Sequence, residues 1–217
     1  MSGRARPPPW RGLSPPHTPW RRPASRSGSP ARSAGASAAH AFGSPAPPCV
    51  RRTDFGTPRP SKAQIKYAIE GSLSRMGLDY VDLYQIHWPD RYVPIFGADA
   101  YDPAKVRADP VPFEEQLEAM QDLVRDGKVR YVGVSNETSH GVMEFAHLAE
   151  SAGLPKIVSI QNQFHLLARS KYETDLAEVC SPEYKNVGLL AYSPLAGGVL
   201  SGKYERGEAP AGARFNM

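Results

Sequence analysis

Carboxylates are missing from the first 53 residues, and so is lysine; the first acidic side chain is Asp54. The same stretch holds nine arginines and 11 of the chain's 22 prolines, and most of the rest is Ser, Ala and Gly. It has too little apolar surface to offset the entropy of ordering a chain, so residues 1–55 are expected to be a disordered Arg/Pro/Ser-rich tail. Cysteine is nearly absent as well. Cys49 and Cys180 are too few and too far apart for a disulfide framework or a zinc site, and a reducing compartment is the default. No apolar run approaches the ~20 residues that cross a bilayer, and no leader with a long apolar centre is present. No membrane partner is therefore expected.

The formal charge of +4 divides sharply, with +9 in the first 53 residues and −5 in the remaining 164. The basic pI near 9.1 thus belongs to the tail. It gives no reason to expect nucleic acid as a partner, because aromatic and basic residues do not interleave on a regular element. Three readings of the tail stay open. It has the composition of an organelle transit peptide, which would place the protein in a chloroplast or other plastid, with the cytoplasm as the address otherwise. Translated non-coding sequence from a GC-rich gene, a gene-model artefact, would look the same, and so would a flexible basic interaction arm.

Beyond the tail the pattern is regular. Ser61 with Gln64 three residues on is a capping-box signature, and Ile65, Ile69, Leu73 and Met76 follow at helical spacing up to Gly77. Tyr80 to Ile86 is β-branched and aromatic, which favours a strand; His87 stands at its C-terminal end, before Pro89. Residues 90–110 lack periodicity and form a long loop, a length typical of functional lids or of disordered segments. A second helix is expected over 112–126, a strand over 128–134, a helix over 139–151, a strand over 157–161, a helix over about 170–179 and a strand over 187–191. Alternating helices and strands imply βα units and a parallel sheet. The short, continuous apolar strands are those expected where both faces are covered.

Polar residues collect at the C-terminal ends of four successive strands: His87; Ser135 and Asn136; Gln161 and Asn162; Tyr192 and Ser193. In a parallel barrel such ends converge on one mouth. Ser, Asn and Gln are neutral donors and acceptors suited to an amide-bearing ligand, Tyr192 offers a flat ring, and Gly197 and Gly198 let backbone approach a phosphate closely. His140 and His147 read as a solvated helix face, and Phe164 as packing. Glu114 and Glu115 read as a helix N-terminal charge preference.

The runs Gly77-Leu-Asp-Tyr-Val-Asp-Leu-Tyr-Gln-Ile-His-Trp-Pro-Asp90, Gly127-Lys-Val-Arg-Tyr-Val-Gly-Val-Ser-Asn-Glu137, Ser159-Ile-Gln-Asn162 and Leu189-Leu-Ala-Tyr-Ser-Pro-Leu-Ala-Gly-Gly198 resemble the aldo-keto reductase family, as does Ser201-Gly-Lys-Tyr204. The resemblance spans about residues 60–217. It implies an α/β fold, a (β/α)8 TIM barrel, of which residues 56–217 would form a part, about strands 4 to 7. It implies NADP (NADPH) as cofactor and a small-molecule carbonyl, an aldehyde or a ketone, as substrate. By the same resemblance His87 is the active-site histidine. Ser135, Asn136 and Gln161 bond the nicotinamide carboxamide, Tyr192 stacks on the ring, and Ser193, Leu195 and Gly197 lie in the pyrophosphate loop. The 90–110 loop would shape the substrate mouth.

The family's chemistry also uses a proton-donating Tyr, a Lys that lowers its pKa and an Asp paired with the Lys. No run in residues 1–60 resembles theirs, and Lys62 and Lys66 fall on a helix. The expectation is thus an NADP-dependent oxidoreductase chain truncated at both ends and inactive alone, open to association through exposed barrel edges. The alternative is a non-catalytic NADP-binding or regulatory relative, similar to a channel β subunit.

Overall fold

The helix from Lys62 to Met76 (α1) starts and stops where its local chemistry dictates. The structure is a computed structural model that describes residues 39–40, 59–94, 100–205 and 210–216. At the start of α1, Ser61 accepts the Gln64 N–H at 3.4 Å. The return half of the expected capping box does not form. Gln64 is buried, and the Ser61 N–H donates instead to the Arg59 carbonyl at 2.9 Å. At the far end Gly77 adopts φ 63°; its N–H reaches Ser74 O, and the Leu78 N–H reaches Leu73 O at 3.1 Å. This is a Schellman stop, which needs the left-handed conformation that glycine takes without penalty.

The remaining elements are β1 (Ala39–His40), β2 (Val81–Ile86), α2 (Phe113–Arg125), β3 (Val129–Ser135), α3 (Ser139–Ser151), β4 (Ile157–Gln163), α4 (Ser170–Glu173), α5 (Leu176–Cys180) and β5 (Gly188–Tyr192). The strands form one sheet in the order β1-β2-β3-β4-β5, all parallel. The two residues of β1 pair Ala39 with Tyr84 and His40 with Gln85. Apart from them, the expected disordered tail lies outside the described residues. The helix expected over 170–179 is two pieces. The Thr174 hydroxyl donates to Ser170 O at 2.7 Å, one of the side-chain-to-backbone bonds that compete with a continuing helix.

The register divides the sheet into two faces. Tyr84, Ile86, Val132, Val134 and Ile160 pack under Ile65, Ile69 and Leu73 of α1, Leu117, Met120 and Leu123 of α2, and Val142 and Phe145 of α3 in one buried cluster. Each such side chain contributes about 1.5–3 kcal/mol relative to an exposed one. The opposite face carries Leu83 and Gln85, Tyr131 and Gly133, Ser159 and Gln161, and Leu190 in register. Here the expectation of strands covered on both faces needs correction. Most of β5 is exposed, with Leu190 at 41%, and Tyr131 of the central β3 is 55% exposed on the same face, because among the described residues α1, α2 and α3 pack on the opposite face. Burial depends on what covers each face, not on the strand's own composition.

Candidate functional site

All strands are parallel, so their C-terminal ends lie together, and the polar residues after each apolar run are gathered there. β2 ends at Ile86 and the chain turns at His87. One strand over, β3 ends at Ser135, and Asn136 takes up φ 56°, a left-handed conformation that Asn tolerates better than most residues. That conformation aims the Asn136 side chain back over the strand ends. Its Nδ2 donates to the His87 carbonyl at 3.0 Å and to Ser135 Oγ at 3.1 Å, while its Oδ1 accepts the Tyr192 hydroxyl at 3.1 Å. The Asn136 N–H and the Ser135 hydroxyl both bond Gln161 O, at 3.0 and 2.7 Å. Four strand ends are thereby fastened around one side-chain amide.

Five sequence-predicted residues therefore come together: His87, Ser135, Asn136, Gln161 and Tyr192. Ser135 and Asn136 are buried; His87, Gln161 and Tyr192 are half-buried. Burial raises the Tyr192 pKa, so its hydroxyl stays protonated and serves as a donor. His87 enters this network through its backbone carbonyl, and its ring lies 4.7 Å from that of Trp88, tilted by 49°. Asn162, one residue past Gln161, faces the other way and donates to the Glu137 carbonyl at 2.8 Å.

Ser193, Leu195 and Gly197 build the next turn. Ser193, Ala196, Gly197 and Gly198 have φ of 56°, 49°, 67° and 101°. The Ala196 N–H closes on Ser193 O at 2.7 Å and the Gly198 N–H on Leu195 O at 2.8 Å. A Cβ on Gly198 would sit 2.8 Å from Lys203 Cε and 3.0 Å from its Nζ, so the bare α-carbon makes room for an ammonium group beside the turn. The Ala196 and Gly198 N–H groups are used within the turn, which leaves the Lys203 ammonium as the cation against it.

Sequence reasoning gave no role to Lys203, and it missed two ion pairs that hold the His87 turn. Asp90 accepts Arg59 Nη2 at 2.6 Å, Arg59 Nε at 3.0 Å and the Val111 N–H at 2.6 Å. Arg59 also reaches the carbonyl and carboxylate of Asp109. Arg91 forks onto Glu137 at 2.9 and 2.6 Å. Both pairs bracket the loop after β2, whose residues 95–99 lie outside the described set. Beyond that gap, Asp102 caps a 3-10 turn at Pro103–Lys105, and the Tyr101 ring packs 5.6 Å from Tyr92. Other expectations hold in detail. Lys62 and Lys66 are on α1, paired with Asp122. His140 and His147 are exposed, Phe164 packs edge-on to Tyr172, and Glu115 of the first turn of α2 accepts the Lys62 N–H at 2.9 Å.

A parallel α/β sheet that gathers neutral polar side chains, an aromatic ring and a left-handed turn at its C-terminal ends has them where α/β folds bind ligands. Comparison with known proteins agrees. The aldo/keto reductase family model matches residues 52–215, and the chain belongs to that family. It is 48% identical over 171 residues to protein Tas of Escherichia coli, covering 77% of this chain and 48% of Tas. An aldo-keto reductase of Babesia bovis is 45% identical over 150 residues, 66% of this chain and 53% of that protein. A probable voltage-gated potassium channel subunit beta of Arabidopsis thaliana is 32% identical over 75% of this chain and 45% of that one. Among solved structures, a glycerol dehydrogenase of Gluconobacter oxydans superposes with a TM-score of 0.54 at 28% identity, over 73% of this chain and 41% of that one. The chain thus spans about half the length of the first two relatives, and its fold is the matching part of a (β/α)8 barrel.

Proposed function

We propose that this chain carries the nicotinamide-holding part of an NADPH-dependent reductase acting on small aldehydes or ketones. The observation that carries the reading is the single network of His87, Ser135, Asn136, Gln161 and Tyr192 across four strand ends. The residues fit the cofactor. Ser135, Asn136 and Gln161 offer both donors and acceptors, as a carboxamide requires. Tyr192, tethered by its hydroxyl, keeps its ring in one orientation for stacking. The Ser193–Gly198 turn, including Leu195 and Gly197, with Lys203 against Gly198, would hold the pyrophosphate. Reducing a carbonyl to an alcohol takes a hydride and a proton; the reduced nicotinamide, when bound, would supply the hydride alone. His87 would donate a hydrogen bond to the carbonyl oxygen and orient it. The loop after β2 would bound the substrate, since it leaves the same end of the sheet.

The catalytic reading is favoured over a non-catalytic channel-subunit role, because the channel-subunit likeness is 32% against 45% for the Babesia bovis protein named an aldo-keto reductase. Fluorescence titration of the 217-residue chain with NADPH and NADH tests the reading. Saturable binding that prefers NADPH and weakens at least about tenfold in Asn136→Ala is expected, the equivalent of one or two lost hydrogen bonds. Absence of saturable binding, or equal binding by the Ala variant, would sink it.

A further inference from the structure

Arg91 and Glu137 lie 46 residues apart, one past the end of β2 and one past the end of β3. Their contact is a part-buried two-point fork. Arg91 Nη1 meets Glu137 Oε1 at 2.9 Å and Nη2 meets Oε2 at 2.6 Å. The side chains are 19% and 4% exposed. The fork is itself held on every side. Arg91 Nη2 also donates to the Thr138 hydroxyl at 3.0 Å, and the Thr138 N–H donates to Glu137 Oε2 at 3.1 Å. The guanidinium sits 5.0 Å from the centre of the Phe113 ring. Gly141 of α3 leaves the space empty that the pair fills. A Cβ there would fall 1.9 Å from Glu137 Oε2 and 2.7 Å from Arg91 Nη2.

Stability alone is a poor account of such a pair. Desolvating two charges costs much of what their attraction returns. β2 and β3 are already joined by a parallel ladder from Val81–Val129 to Ile86–Val134. What the fork adds is position. Glu137 follows Asn136, and its carbonyl is fastened by Asn162 at 2.8 Å. Arg91 follows His87 by four residues, and the His87 carbonyl is the group that Asn136 grips. The ion pair therefore closes a ring through the His87 turn, the fork, Glu137 and the left-handed Asn136.

We propose that Arg91 and Glu137 are positioning residues: their fork sets the distance between the His87 turn and the Asn136 amide, and so the shape of the nicotinamide end of the site. As a claim about cofactor this rests on the reading above; as a claim about Asn136 it stands by itself. The pair acts through Asn136 and touches neither substrate nor cofactor.

Two measurements on the full chain separate these claims. The first uses no ligand and follows exchange of the Asn136 side-chain amide by NMR, with the Gln85 amide as an internal control. Gln85 Nε2 is held by Val134 O and Ser159 Oγ inside the sheet. Glu137→Gln and Arg91→Lys, which loses the fork but keeps the charge, should each speed Asn136 exchange at least about tenfold, as loss of one charge-assisted bond implies. Gln85 should not change, and neither should either amide in Arg169→Lys, which alters an exposed pair with Glu173. Gly141→Ala should act like Glu137→Gln without removing a charge. An unchanged Asn136 amide, or equal loosening of Asn136 and Gln85, overturns the proposal.

The second measurement titrates NADPH and ADP-ribose 2′-phosphate, which lacks the nicotinamide. Glu137→Gln should weaken NADPH about tenfold and leave ADP-ribose 2′-phosphate unchanged. Equal weakening of both ligands would mark a general structural role and overturn the nicotinamide assignment. A wild-type chain that binds neither ligand while its Asn136 amide responds as stated would sink the cofactor reading and support the positioning role.

Discussion

Gln85 of β2 and Ser159 of β4 are not on neighbouring strands, yet their side chains meet, with Gln85 Nε2 3.3 Å from Ser159 Oγ. They meet over Gly133 of β3, the register partner of both. A Cβ on Gly133 would lie 2.3 Å from Ser159 Oγ and 2.9 Å from the Ser159 carbonyl oxygen. Gly133→Ala should therefore destabilise the chain by about 1–3 kcal/mol, the usual cost of overpacking. Urea denaturation would measure it. Adding Ser159→Gly should recover only part of the loss, because the backbone carbonyl stays in the way.

The Arg59–Asp90 pair invites a sharper test. Asp90 is 4% exposed and receives both the guanidinium and the Val111 N–H. Asp90→Ala leaves Arg59 buried without its main partner, so a loss of about 3–5 kcal/mol is expected. The double variant Asp90→Ala with Arg59→Met should be less damaging than Asp90→Ala alone. A double variant as unstable as the sum of both single changes would contradict this account.

Acid should loosen α1 from α2 at a particular point. Hydrogen bonding to Lys66 is the largest influence on Asp122; with the Lys62 bond and charge it holds the carboxyl down to about 2. A depressed carboxylate adds stability above its unfolded pKa, near 3.9, and loses it as pH falls through the folded value. The contribution should be complete at pH 5 and fade between about pH 4 and pH 2. Thermal melts across that range should show a smaller acid decline in Lys66→Met than in the wild type. Parallel declines would count against the assignment.

Cys180 offers a probe of the weakly helical end of the chain. It is 4% exposed, and burial pushes its thiol up to about 11. In a Cys49→Ser background it should resist thiol reagents at pH 8 and react fully in urea, since the thiolate is the reacting species. Rapid labelling of the native chain would mean that α5 does not stay packed.

Much of this architecture was legible in the sequence, and the exceptions share a cause. Element bounds fell within a few residues because apolar period and stop residues such as Gly77 and Gly127 are local signals. Ser135, Asn136, Gln161 and Tyr192 could be found because each is the polar residue that closes an apolar run. Arg91 with Glu137, and Arg59 with Asp90, could not. Each pair spans tens of residues, and no periodicity marks a contact at that separation. Lys203 was in view within a matching run, but its closeness to Gly198 appears only once three successive residues turn left-handed. The exposure of β5 was missed because an apolar strand looks the same with one face covered as with two.

That last strand bears on how the chain behaves in a tube. β5 has a paired neighbour on one side among the described strands, and Leu190 and Tyr131 are 41% and 55% exposed on the same face. An open edge beside apolar side chains is a template for another strand. Light scattering should therefore rise with protein concentration and with added sulfate, which strengthens apolar association. Leu190→Lys should flatten that rise while leaving the buried cluster under α1, α2 and α3 untouched. The colloidal behaviour of the chain is then set by one rim of its sheet, separately from how firmly it folds.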